Sequence, residues 1–208
     1  YIETKPLVYD NLVIFGAWDK NLYALDKKTG KEVWKWHEGK PGRFYSAAAV
    51  WPVAANGKVF IADPERALTA IDASTGKTVW RTKESMVRET VGLSEDKRRI
   101  YSKTMNDSVV CYSATTDFPE KIWASNVGFG YEHAPSMPVE KEGVVFGSTK
   151  NGLMFGLDAH TGKVLWKHKV GNSLISTLVP LSKNKCLFTA TGGEIGLLVI
   201  DYKTNKHK

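Results

Sequence analysis

One short pattern recurs along this chain and restricts its fold more than any other feature. It reads Asp26-Lys-Lys-Thr-Gly30-Lys-Glu-Val-Trp34, then Asp72-Ala-Ser-Thr-Gly76-Lys-Thr-Val-Trp80, then Asp158-Ala-His-Thr-Gly162-Lys-Val-Leu-Trp166. A truncated copy starts at Asp201, and a degenerate one runs from Tyr112 to Trp123. Trp80, Trp123 and Trp166 are spaced 43 residues apart, and Asp26 and Asp72 are 46 apart. A repeat of this length marks units that cannot bury an apolar face alone and must stack on one another.

Each period divides into four short extended segments. In the second unit these are 46–54, 58–63, 67–72 and 77–82, rich in β-branched and aromatic residues. Asn56-Gly57, Pro64-Glu65-Arg66 and Ser74-Thr75-Gly76 punctuate them as turns. Asn151-Gly152 in the fourth unit has the composition of a tight hairpin turn. No segment has helical period. The expected fold is all-β, a propeller of four-stranded antiparallel blades. About five blades are present, at approximately 1–40, 41–84, 85–128, 129–172 and 173–208, the last incomplete.

The motif has a mechanical reading. Asp26, Asp72 and Asp158 end a strand, where a carboxylate can accept backbone N–H bonds from the turn. Gly30, Gly76 and Gly162 supply the left-handed backbone that reverses the chain. Trp34, Trp80, Trp123 and Trp166 carry large apolar surfaces on the outermost strand and are expected to wedge against the neighbouring blade. These residues read as structural, not catalytic.

The span Ala70 to Trp80, echoed by Ala24 to Trp34, resembles the repeat of pyrroloquinoline-quinone-like propellers, and the resemblance covers nearly the whole chain. That family includes quinoprotein dehydrogenases, non-catalytic outer-membrane assembly lipoproteins of the BamB type, and propellers fused to receptor kinases or phosphoesterases. The resemblance implies a ring of seven or eight blades. The chain opens inside an apparent strand at Tyr1, so it reads as a piece of a longer protein, and its missing last strand suggests an incomplete ring or one completed by a second copy. A quinoprotein dehydrogenase would need a calcium–quinone site and, in the alcohol-oxidising branch, adjacent cysteines. Cys111 and Cys186 are far apart in sequence, and every obvious acid is a turn residue. No cofactor is therefore expected, neither quinone nor calcium.

The net charge is +7, but the lysines are spread over turns and outer strands, and no nucleic-acid-reading element is present. No apolar run approaches the ~20 residues that cross a bilayer. No phosphate loop, metal-spaced His/Cys cluster or nucleophile elbow appears.

A binding site is expected on the loops that lead into each blade's first strand, where propeller connections crowd the channel mouth. The candidates are Arg43, Tyr45, Arg88, Glu89, Tyr131, Glu132 and His133. The resulting expectation is a non-catalytic scaffold that holds a protein partner. The resemblance adds a periplasmic or cell-surface location. The alternative is an accessory or sensor propeller attached to a catalytic domain, or a fragment of a quinone-dependent dehydrogenase.

Overall fold

A computed structural model of the chain describes residues 5–37, 51–88, 90–132 and 134–202. Within them nineteen strands form five antiparallel sheets, and there is no helix. The first blade is β1 (Leu7–Tyr9), β2 (Leu12–Gly16), β3 (Leu22–Asp26) and β4 (Glu32–Trp36). The second is β5 (Val53–Ala55), β6 (Lys58–Ala62), β7 (Leu68–Asp72) and β8 (Thr78–Thr82). The third is β9 (Gly92–Leu93), β10 (Arg99–Lys103), β11 (Asn106–Ser113) and β12 (Lys121–Tyr131). The fourth is β13 (Val139–Lys141), β14 (Val144–Ser148), β15 (Leu153–Asp158) and β16 (Val164–Lys169). The fifth has three strands, β17 (Val179–Ser182), β18 (Lys185–Thr189) and β19 (Ile195–Val199). Strands follow chain order from the axis outwards, and the innermost strands β1, β5, β9, β13 and β17 stand side by side in succession.

Local chemistry accounts for the turns. Asn56 (φ 53°) and Gly57 (φ 73°) are both left-handed, as a two-residue hairpin turn with native strand twist requires. Asn151-Gly152 differs from the sequence expectation: it closes a four-residue loop, in which the Thr149 N–H donates to the Leu153 carbonyl at 3.0 Å. The motif turn is the same in three blades. Asp72 Oδ1 accepts from the N–H groups of Ser74 (3.0 Å) and Thr75 (2.8 Å), and Asp26 and Asp158 repeat the arrangement with Lys28–Thr29 and His160–Thr161. For Asp72, bonds from the Ser74 and Thr75 hydroxyls lead in holding the carboxyl below its ordinary range. Asp26 is lowered chiefly by the Thr29 N–H. At Asp158 partial burial pushes upward, and the bonds from Thr161 and His160 outweigh it.

The core lies between blades. Trp34 packs with Val59, Ile61 and Ile71 of the second blade; Trp80 with Val91, Ile100 and Val110 of the third; Trp123 with Val145 and Phe155 of the fourth; Trp166 with Ile175, Leu178 and Cys186 of the fifth. All four indoles are buried. A buried indole removes about 150–250 Å² from water, roughly 4–6 kcal/mol per seam before the entropy of ordering is subtracted. Small residues make the room: Ala24, Ala70, Cys111 and Gly156 stand directly across the strand pair from the four tryptophans.

The fifth blade corrects one reading. Val199, not Asp201, lies opposite Lys185, in the register place that Asp72 and Asp158 hold opposite Lys58 and Val144. The Ile200 N–H bonds the Asn184 carbonyl (2.9 Å), as Ala73 bonds Gly57 (2.9 Å) and Ala159 bonds Gly143 (3.0 Å). Asp201 therefore sits two residues beyond the motif position that the sequence suggests.

Candidate functional site

Of the seven loop residues expected at the channel mouth, Arg43, Tyr45, Glu89 and His133 lie outside the described residues. Arg88, Tyr131 and Glu132 are described, and they have different surroundings. Arg88 is half-buried between β8 and β9, next to Thr90, which forms a parallel bridge with Trp51 of the second blade. Glu132 is almost fully buried, at 2% exposure. Its carboxylate accepts from the Ala134 N–H and, at 3.1 Å, from the Lys150 N–H. Glu132 thus ties the strand-connecting loop of one blade to the hairpin of the next, and it faces protein, not solvent.

Tyr131 is the outward group, at 52% exposure. Its position follows from the end of β12, where Gly128 (φ 75°) and Gly130 (φ 76°) are left-handed and the Gly130 N–H donates to Asp107 Oδ1 at 2.6 Å. The Lys150 ammonium lies 4.9 Å from the Tyr131 ring centroid, within cation–π range.

Beneath these groups the loops are laddered through backbone bonds. The Met105 N–H donates to the Met86 carbonyl (3.0 Å), and the Glu132 N–H donates to the Met105 carbonyl (3.0 Å). Met86 is 47% exposed, and a cleft of about 290 Å³ opens beside it, lined by Ser85, Thr104, Met105 and Asn106 among others. The result is a fixed surface that carries a thioether and a phenol ring on ordered backbone.

Sequence reasoning missed Lys103. It is buried, and its ammonium donates to the Ala134 carbonyl (3.1 Å), the Ser136 hydroxyl (2.7 Å) and the Ser148 carbonyl (2.9 Å). The corresponding residues of the second and fourth blades are Ala62 and Ser148. A long cation at a strand end where its counterparts are small was the available signal. Trp51 was also missed. It lines two cavities on the axis: one of about 470 Å³ with Lys5, Leu7, Val53 and Met137, and one of about 300 Å³ with Pro135, Leu174 and Thr177.

Among the described residues, no three His, Cys, Asp or Glu side chains are grouped so as to hold a metal ion. Cys111 and Cys186 are free thiols buried in different blades. Burial pushes the Cys111 thiol well up and the Cys186 thiol up to about 11, so neither is ionised near neutrality.

A family model described as outer membrane protein assembly factor BamB matches residues 19–117 and 105–207. The chain belongs to this family. No curated protein sequence matches it. Among solved structures, BamB from Moraxella catarrhalis superposes with a TM-score of 0.72 at 18% identity, covering 94% of this chain and 58% of that one. The computationally designed Ika8 protein gives 0.74 at 17% identity, covering 94% and 57%. At such identities the likeness concerns the fold. The chain spans less than two thirds of either structure, so its five blades match an arc of a longer propeller. No helix among the described residues is long and apolar enough to cross a membrane.

Proposed function

We propose that this chain is a non-catalytic scaffold that docks a protein partner on the channel-mouth loops of its third and fourth blades, outside the cytoplasm. The observation that carries this reading is the pairing of exposed Tyr131 and Met86 with a backbone ladder that holds their loops in place. Aromatic side chains and methionine are enriched at protein interfaces, and a rigid platform loses little entropy on binding. Lys150, stacked on Tyr131, adds a cation at the rim, which favours a partner surface with acidic groups. Membership of the assembly-factor family supports both the scaffold role and the location.

The test is comparative capture. Cross-linked partners of the unmodified chain are quantified beside those of Met86→Ala/Tyr131→Ala, with Phe118→Ala/Ile122→Ala on the outer rim as control. The mouth variant is expected to lose the specific partner by about thirtyfold, the consequence of removing a hot spot worth ~2 kcal/mol. Equal capture by all three proteins would end this reading.

A further inference from the structure

The four methionines of this chain have unequal access to solvent. Met154 is fully buried, and Met105 is 3% exposed. Met137 is partly buried and packs on the core between blades two and three. Met86 is the open one, at 47% exposure.

Its backbone is unusual as well. Met86 has a left-handed φ of 41°, a conformation that bulky residues rarely adopt. Hydrogen bonds hold it there. The Met86 N–H donates to the Lys83 carbonyl at 3.3 Å, and the Met86 carbonyl accepts from the Met105 N–H at 3.0 Å. The next residue, Val87, is fully buried and forms an antiparallel bridge with Thr104. The chain is thus anchored around Met86 while the thioether stands outside. Backbone strain kept at an exposed position points to function more than to stability.

The surroundings decide what an added oxygen would do. The cleft of about 290 Å³ beside Met86 is lined by Thr104, Asn106 and Ser108 among others, so hydroxyl and amide groups border the thioether. A thioether is a weak acceptor and makes soft apolar contacts. A sulfoxide is polar and accepts hydrogen bonds. The oxidised side chain finds donors in the cleft and loses its fit to an apolar partner surface.

We infer that Met86 is a redox modification site and that its sulfoxide switches off docking at the channel mouth. This rests on the docking reading proposed above. The oxidant is of the peroxide class. The sulfur lone pair attacks one oxygen of hydrogen peroxide, the O–O bond breaks and an S–O bond forms. The other oxygen leaves as water, carrying both protons. Sulfur gives up two electrons, and the peroxide takes them. Methionine sulfoxide reductases reverse the step, which makes it a switch instead of damage.

The test treats the full chain with hydrogen peroxide and follows each methionine by peptide mass spectrometry. Met86 is expected to gain oxygen about tenfold faster than Met105 or Met154, since susceptibility follows exposure. Equal rates at all four would overturn the assignment, and this arm needs no partner. Cross-linked capture is then compared before and after treatment. The oxidised chain is expected to lose its partner by about tenfold, and treatment with the reductase to restore it. Met86→Leu, which keeps apolar bulk on the same backbone, is expected to hold its partner under peroxide. Full capture by the oxidised chain overturns the switch and leaves the docking reading standing. A loss that Met86→Leu does not prevent does the same. Capture by Met86→Ala/Tyr131→Ala equal to that of the unmodified chain overturns docking itself, and the switch with it.

Discussion

The seam between blades one and two and the seam between blades two and three hold the same residue in different electrical surroundings. Trp34 and Trp80 are buried to the same degree, at 6% and 5% exposure. The Trp34 indole N–H donates to the Ala73 carbonyl at 2.8 Å, whereas the Trp80 N–H has no hydrogen-bond partner. The contrast recurs further along: Trp123 donates to the Ala159 carbonyl at 3.1 Å, whereas the Trp166 N–H reaches no carbonyl and has the Tyr202 side chain beside it. The receiving turn makes the difference. In blades two and four an Asp–Thr–Gly turn leaves the carbonyl after the aspartate aimed at the indole. In blade three Ser113 replaces the aspartate, and the matching carbonyl, Ala114, accepts from the Asn56 side-chain amide at 3.3 Å. That seam has exchanged an indole bond for an amide bond and retains stacking of Trp80 on Tyr112, with centroids 6.3 Å apart. In blade five the motif is out of register. Burial of the indole is thus general, while its hydrogen bond depends on the neighbour.

The largest effects expected from this comparison are at the turn glycines. Gly30, Gly76 and Gly162 share a left-handed φ of 70 to 73°. A Cβ at Gly76 would lie 2.8 Å from the Trp34 ring, and one at Gly162 would lie 2.7 Å from Trp123, while at Gly30 nothing stands within 4 Å. Alanine at Gly76 or Gly162 combines backbone strain with overpacking and should cost about 3 kcal/mol. At Gly30 only the backbone term applies, about 1 kcal/mol. Urea unfolding of the three variants measures the difference. Equal losses at all three sites would mean that the indole does not press on the turn.

A smaller effect separates the seams themselves. Trp→Phe removes ring area and one N–H at each site. At Trp34 and Trp123 it also strands a carbonyl, whereas at Trp80 and Trp166 no carbonyl is left behind. The first pair should therefore lose about 1 kcal/mol more than the second. Four equal losses would show that the hydrogen bond carries no net weight in the seam.

Much of this was legible in the sequence, for a physical reason. Period, turn aspartate, turn glycine and tryptophan are local signals, each tied to strand length, backbone conformation or a large apolar surface. They led to the blades and to the inter-blade place of all four indoles. The status of each indole N–H was hidden, because it depends on a carbonyl about 40 residues away and on whether Asn56 competes for it. Glu132 read as a candidate binding residue at the channel mouth. Its burial follows from the Ala134 and Lys150 N–H groups closing around it, which needs two blades in place. Lys103 went unremarked in the sequence, and only the convergence of Ala134, Ser136 and Ser148 makes it interior. Asp201 misled because the motif letters outlast the register by two residues.

The smallest effect concerns acid. The Asp72 carboxyl is held below its ordinary value of 3.8, first by the Ser74 hydroxyl and then by Thr75, so the folded state binds its proton less readily than the unfolded chain does. Its contribution is therefore complete above the unfolded value and is lost as pH falls through the lower folded value. Ser113, in the matching place of blade three, has no carboxylate to titrate. The stability difference between the unmodified chain and Asp72→Asn should accordingly be constant from neutral pH down to about 5 and shrink below about 4. The difference for Ser113→Ala should not change across that range. Unfolding curves at a series of pH values decide the matter. A difference for Asp72→Asn that stays flat into acid would show that the turn draws on the shape of the side chain and not on its charge, and would leave the two turns alike in the one respect in which their sequences most clearly differ.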